Sequence, residues 1–363
     1  MNSLDFSQEE LARAASYHRP RYLSLVADLI LSGAVLVILQ WVWLGPWHLV
    51  DGLGWAGSAA LYVVLVDLAL LLFLLPTSFW RGYVQEQRFG FSTQSPAGWA
   101  IDLLKSETVA VILLAAFWVG LVGLARWLPS AWPAVAAAVV AAFVFLLSFV
   151  APVVLEPLFN RFRSLDDARL AAELRAVAER AGVPVRDVLV ADASRRTTKV
   201  NAYVSGIGAT RRVVLYDTLL DSADEGQLKL VLAHELGHRR ERHVARLTAA
   251  LMVIGVACVV IVWAIFGTLI ASPRELPAVL LVLFGLRLAV APVAMWASRR
   301  YERVADRFSL ELTHDLPAYE RAHLNLARAN LGDLAPPRLA YWFLFSHPTT
   351  PERLALGRAW AGA

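Results

Sequence analysis

Five consecutive residues, His234-Glu235-Leu236-Gly237-His238, read H-E-x-x-H. On an α-helix the two imidazoles sit four residues apart, on one face and one turn from each other. Placed so, they can hold one divalent ion from the same side. Glu235 lies beside them and can reach a water held by that ion, where a carboxylate acts as general base. The sequence predicts the helix. Ser222 and Glu225 have capping-box spacing, and Leu228, Val231, Leu232 and Leu236 follow at intervals of three and four. No proline interrupts the run before His243.

A catalytic zinc takes three protein ligands and keeps one position open for water. His243 follows His234 by nine residues. On a continuous helix that is about 900° of rotation, which puts it on the opposite face and out of metal contact. The longer motif that draws a third His six residues after the second is not met. Glu302, in Glu302-Arg303-Val304-Ala305-Asp306, is the better candidate. Asp306 shares its face four residues on, and is expected behind the metal as the acceptor that orients a ligating imidazole. The competing reading of this pair is a solvated charged face on an exposed helix.

The elements that must bring these residues together lie in an unusually apolar chain. Of 363 residues, 58% are hydrophobic and 18% charged, and the mean hydropathy is +0.54. A soluble domain has about 45–50% apolar residues. The excess falls in long blocks, near 22–44, 57–79, 107–128 and 131–155, then 246–271 and 277–297. Each reaches the length of about 20 mostly apolar residues that a span needs. The expectation is therefore an α-helical multi-pass membrane protein of about six transmembrane helices. Asp28 and Asp67 fall inside two of these blocks. Carboxylates at that depth should face protein or water rather than lipid. The single cysteine, Cys258, excludes an intramolecular disulfide and reads as a small apolar residue.

Before the first span, 7–19 reads as a short amphipathic surface helix, with Ser7 and Glu10 in capping-box spacing and Pro20 ending it. The chain turns polar after residue 156. A helix opening at Ser164 and Asp167 is expected to end at Gly182 and Pro184. Valine-rich strands are expected at 187–191, 199–205 and 211–216, the last two joined by a turn at Gly206-Ile207-Gly208. A polar helix is expected to begin near Ser298, and another at Pro317. The boundaries follow: a membrane region over 1–156, an α+β unit with the H-E-x-x-H helix over 157–245, a transmembrane hairpin over 246–297, and C-terminal helices over 298–363. That hairpin returns the chain to the face it left, so Glu302 can meet His238. Arg13, Arg19, Arg21, Arg81, Arg88, Lys105, Arg299 and Arg300 fall on one side of the predicted spans, against Arg126 and Arg274 on the other. This places both termini and the α+β unit in the cytoplasm. The same rule accounts for the net charge of +4 without a nucleic-acid partner.

Several blocks together resemble the membrane-embedded zinc endopeptidases typified by the type I CAAX prenyl proteases. They are Glu86-Gln87-Arg88-Phe89-Gly90-Phe91 with Asp102 and Lys105, Glu156-Pro157-Leu158-Phe159-Asn160, Asp192 to Arg196, Asn201 to Gly206, Asp217-Thr218-Leu219-Leu220, His234 to His238, Glu302 to Asp306, and His347 to Arg353. The resemblance covers most of the chain. It implies spans that enclose a water-filled chamber, with a small zincin-like α+β catalytic unit. It implies one Zn²⁺ on His234, His238 and Glu302, with Glu235 activating water. It implies that Asn201 and Ala202 lie on an edge strand that pairs with extended substrate. It also implies that His347 donates to the oxyanion, with Arg353 supporting the same pocket. A peptide or protein substrate follows, membrane-associated or lipidated, beside the lipid bilayer itself. Six spans rather than seven, and no C-terminal retrieval signal, fit a prokaryotic relative in a bacterial cell membrane. Two other readings are a quality-control zinc protease of the heat-shock type and a non-catalytic zinc-binding scaffold. The Glu86–Phe91 block speaks against the first, and the intact Glu235 against the second.

Overall fold

Gln8–Val37 forms α1, and its first turn closes as expected. Ser7 Oγ accepts from the Glu10 N–H at 3.1 Å, and the Glu10 carboxylate accepts from the Ser7 N–H at 2.7 Å. Pro20 does not end the helix, so the predicted surface helix and first span are one element. A proline removes one intrahelical bond and crowds the preceding turn. Here contacts on both sides of it hold the axis: Tyr17 donates to Glu86, and Arg21 pairs with the same carboxylate at 2.7 Å. The computed structural model describes residues 5–42, 52–150, 154–205 and 211–362. The turn at Gly206-Ile207-Gly208 lies outside the described residues, as do the predicted span ends at 43–44 and 151–153.

Three apolar helices follow, α2 (Gly54–Phe79), α3 (Pro96–Trp127) and α4 (Trp132–Val150). Tyr62, Val63, Val66, Trp118, Val122 and Trp132 form the heart of their common core. Asp28 is paired at this level, with Arg81 at 2.6 Å, which satisfies the demand for a protein partner at depth.

The polar unit starts with β1 (Phe162–Ser164), a strand that the sequence pattern does not announce. It is three residues long and mostly exposed, so it carries no alternation. Asp167 caps α5 (Ala168–Arg180), its side chain accepting from the Leu170 N–H at 2.9 Å. Gly182 ends that helix with φ of 67°, a conformation that glycine adopts freely. Then come β2 (Asp187–Ala191), β3 (Ala202–Ser205) and β4 (Arg212–Tyr216). The sheet order is β1-β2-β4-β3. Strand β4 runs parallel to β2 and antiparallel to β3, which leaves β3 at an edge.

The motif helix is α6 (Glu225–Arg240). Its cap is Asp224, whose Oδ1 accepts from the Gln227 N–H at 2.9 Å, not Ser222 with Glu225. Ser222 instead donates to Thr218 O in the preceding turn. Leu228, Leu232 and Leu236 bury one face of α6 against Leu174, Val213 and Leu215.

Two long helices return through the apolar layer, α7 (His243–Phe266) and α8 (Leu276–Thr313). The second is continuous over 38 residues, about 57 Å at 1.5 Å per residue. No separate polar helix begins at Ser298. One rod crosses the apolar layer and runs on beside α6, because nothing near Ser298 caps or breaks it. Among the described residues, six helices are long and apolar enough to cross a membrane. The chain closes with α9 (Leu316–Ala329), which begins one residue before Pro317 and is capped by Asp315, then α10 (Arg338–Leu344) and α11 (Thr350–Ala361).

Candidate metal centre

The place where α6 meets α8 is set by a missing side chain. A Cβ on Gly237 would lie 3.1 Å from Ala305 Cα and 3.1 Å from the Phe308 ring. Glycine there lets the two helices approach, and Glu302 reaches the histidine face. Glu302 Oε2 lies 3.3 Å from His234 Nε2, and Oε1 lies 3.2 Å from His238 Nε2. The two Nε2 atoms are 3.2 Å apart. One ligand atom from each of the three residues falls within 4.8 Å of the others.

The donor set fits a divalent metal. Two imidazole nitrogens and a carboxylate suit zinc. Glu302 Oε2 is buried without any hydrogen bond, and a buried acceptor left in that state asks for a missing partner. Each Nδ1 is turned away toward protein, which frees both Nε2 atoms for the shared centre.

Charged groups stand behind His234. Its Nδ1 lies 2.9 Å from Asp306 Oδ1. Asp306 is fully buried and takes a two-pronged pair from Arg353, whose Nε is 2.9 Å from Oδ2. Arg353 also comes within 3.3 Å of His234 Nδ1 and 4.0 Å of Glu302. Its guanidinium therefore faces the carboxylates behind the histidine rather than the open side of the centre. His323 packs on the same group, 3.8 Å from Asp306. Burial holds its imidazole well below the usual range, hence neutral. Burial opposes a charge on His234, but the carboxylates of Asp306 and Glu302 beside it outweigh that and push its pKa up to about 9.

Glu235 makes no ion pair among the described residues, and burial pushes its carboxyl above the usual range. His347 stands at the open side, 59% exposed, with Nε2 3.4 Å from Glu302 Oε1. Two backbone anchors hold its loop. Arg299, one turn before Glu302 on α8, donates to Tyr341 O at 2.9 Å and Phe345 O at 2.7 Å.

Asn201 and Ala202 lie at the start of the edge strand β3. Asn201 O accepts from the Tyr216 N–H at 3.0 Å. Its Oδ1 accepts from the Ala202 N–H at 2.9 Å. Arg239, next to His238 on α6, donates to Val204 O and so ties the strand to the motif helix. The Glu86–Phe91 block reaches the segment that leads into this strand. Thr198 N–H donates to Phe91 O at 2.9 Å, and Glu86 pairs with Lys199 at 2.6 Å.

His243 is the correction. It is not among the three grouped ligands, yet it does not lie on the opposite face. Its Nδ1 is 3.0 Å from His238 Nδ1. Nine residues make a half-turn offset only along one unbroken helix, whereas the chain breaks at Arg242, which takes the left-handed conformation with φ of 54°. A basic cluster at the helix end was the available sequence signal, but a single left-handed arginine leaves no pattern.

Known proteins resemble this chain over most of its length. Residues 164–361 match the sequence model of peptidase family M48, and residues 3–161 match the CAAX prenyl protease N-terminal model of five membrane helices. The chain is 28% identical to the uncharacterised metalloprotease YhfN of Bacillus subtilis (strain 168), over 90% of this chain and 78% of that one. It is 27% identical to CAAX prenyl protease 1 of Saccharomyces cerevisiae over 77% of this chain and 67% of the relative. To the CAAX prenyl protease 1 homolog of Arabidopsis thaliana it is 28% identical, over 96% and 87%. The crystal structure of Ste24p from S. mikatae shares the fold, with a TM-score of 0.86 over 97% of this chain and 90% of that one, at 23% identity. A family match over more than half the sequence, on residues that include the whole centre, makes this chain a multi-pass membrane metalloprotease of peptidase family M48.

Proposed function

We propose that the chain is a zinc-dependent endopeptidase that hydrolyses peptide bonds at the cytoplasmic membrane face. One observation carries this reading: His234, His238 and Glu302 converge within 4.8 Å beside an unpaired, partly sheltered Glu235. One Zn²⁺ would be held by those three residues. Bound there, zinc supplies Lewis acidity toward the scissile carbonyl and the attacking water.

The chain's own residues do the rest. Glu235 takes a proton from the attacking water as the new C–O bond forms. The same carboxyl delivers that proton to the leaving nitrogen as the C–N bond breaks. A carboxyl pushed upward by burial suits both halves of that cycle. His347, exposed on the open side, donates to the developing oxyanion. Asn201 and Ala202 offer an edge strand to an extended peptide; Ala202 C=O is the acceptor, because Asn201 Oδ1 already engages the Ala202 N–H. Arg353 supports the pocket from behind, through Asp306 and His234.

The substrate is a peptide or protein associated with the membrane, reached from a chamber between the spans. The distribution of Arg and Lys supports a cytoplasmic position for the catalytic unit and both termini, and the Bacillus subtilis relative supports a bacterial cell membrane. The names of the eukaryotic relatives support lipidated substrates. The experiment uses purified protein in detergent with fluorogenic peptides, prenylated and unprenylated. The parent should carry one zinc per chain and cleave, and Glu235→Gln should keep the zinc and lose cleavage. Equal turnover by Glu235→Gln overturns the mechanism.

A further inference from the structure

We propose that His243 is a positioning residue that fixes the ring and tautomer of His238. Tyr301 and the left-handed turn at Arg242 hold it there. The proposal rests on the metal centre described above and goes beyond it, since His243 is not one of the grouped ligands.

The backbone is the first observation. On a continuous helix a residue five positions after His238 lies about 140° around the axis and cannot touch it. The chain instead places Arg242 at φ of 54° and ψ of 32°. A left-handed L-residue costs about 1–2 kcal/mol, and such outliers persist where the surrounding structure over-determines them. What the turn secures here is the seat of His243. Its ring is buried at 4% exposure. It stacks on Tyr301 at 4.3 Å between centroids and 17° between planes. It meets His238 edge-on at 5.1 Å and 71°.

The chemistry of the pair then assigns the protons. An imidazole that offers one nitrogen to a metal carries its proton on the other. His238 turns Nε2 toward His234 and Glu302, each at 3.2 Å. Its proton therefore sits on Nδ1. The 3.0 Å separation of the two Nδ1 atoms requires one to donate and the other to accept. His238 donates, and neutral His243 accepts at Nδ1 and keeps its own proton on Nε2. The bond sets the angle of the His238 ring and raises the basicity of its Nε2, the task usually given to a carboxylate or a backbone carbonyl.

Tyr301 adds a second function. It immediately precedes Glu302 on α8. Its stack on His243 joins the turn that carries the third ligand to the imidazole that supports the second.

Two substitutions separate an acceptor from mere packing. His243→Phe keeps a ring on Tyr301 and removes the acceptor. His243→Asn loses the stack but places an amide oxygen where Nδ1 stood. Full-length protein in detergent is stripped of metal, and zinc affinity is measured by competition with a chromogenic chelator. The d–d absorption of the cobalt(II) form is recorded alongside. His243→Phe should bind zinc about 10–100-fold more weakly, shift the cobalt bands, and melt near the parent when metal-free. His243→Asn should bind within a few-fold of the parent. Parent-like affinity in His243→Phe overturns the proposal, as does His243→Asn binding no better than His243→Phe. A parent that takes up no stoichiometric zinc overturns the metal centre itself, and this role with it.

Discussion

Behind His234 stands a buried set of charges, and behind His238 a stack of neutral rings. The two imidazoles belong to one helix and face one centre, yet Asp306 and Arg353 support the first while His243 and Tyr301 lie beside the second. The charged support comes from residues far along the chain, brought together by α8 and α11. The neutral one comes from a residue five positions away, delivered by a local backbone break. A buried ion pair locks geometry but is costly to leave half-made. A neutral acceptor adds no net charge beside a centre that already holds Glu302.

The largest expected effect tests whether the chemistry is separable from both supports. Glu235→Gln touches neither, so turnover should fall about 10²–10⁴-fold, the range of a lost general base, with zinc content unchanged by metal analysis. Loss of zinc in this variant would merge what the comparison separates.

Asp306→Ala acts on the charged side alone. It leaves Arg353 buried without its carboxylate, which typically costs about 3–5 kcal/mol. Denaturant unfolding in detergent should show a loss of that size, greater than for any replacement of His243. Similar losses on the two sides would end the contrast.

Gly237→Ala should strike both sides at once. The added methyl meets Ala305 and Phe308, and overpacking of this kind costs about 1–3 kcal/mol. It should also weaken zinc binding, because α6 and α8 are pushed apart. Full retention of affinity would show that the close approach is not what seats Glu302.

Proton release tests the charged support of His234. The metal-free pKa of His234 lies at about 9, above the ordinary value of 6.5. Its charge therefore stabilises the metal-free protein fully below about 6.5, and this contribution is lost as pH rises through 9. Loading must expel that proton. Zinc affinity should thus rise roughly tenfold per pH unit between 7 and 9. Calorimetry in buffers of different ionisation enthalpy should find a released proton at pH 7.5, and its absence in Asp306→Asn would confirm the source. No proton release in the parent would refute the charged support.

The smallest effect concerns the backbone break. Arg242→Gly removes the Cβ penalty at φ of 54° and should raise the thermal midpoint by the equivalent of about 1 kcal/mol or less. A loss instead would show that the Arg242 side chain has contacts that matter more than its backbone.

Much was readable from residue type and spacing, for physical reasons that differ by element. Spans are legible because hydrocarbon tolerates little but apolar side chains over a fixed length, and six such helices are found among the described residues. The H-E-x-x-H pair is legible because helical periodicity alone puts four-residue neighbours on one face. The same period put Glu302 and Asp306 together on α8, and the hairpin topology brought them back to the motif. Local rules failed where a tertiary one met them. Pro20 ends no helix because Glu86 holds Tyr17 and Arg21 across it. Ser222 yields the cap to Asp224, since only the folded turn decides which side chain reaches the first free N–H groups.

Spacing puts His243 on the wrong face because rotation angles add only along an unbroken helix. Residue chemistry and spacing alone determined the membrane-spanning class of this protein, the pair of imidazoles on one helix face, and Glu235 and Glu302 as the carboxylates expected beside them. The tertiary structure decided how each imidazole is held. Arg353 meets Asp306 across 47 residues, and His243 meets His238 only through a left-handed residue, and neither a long closure nor a single strained dihedral leaves a period in the sequence.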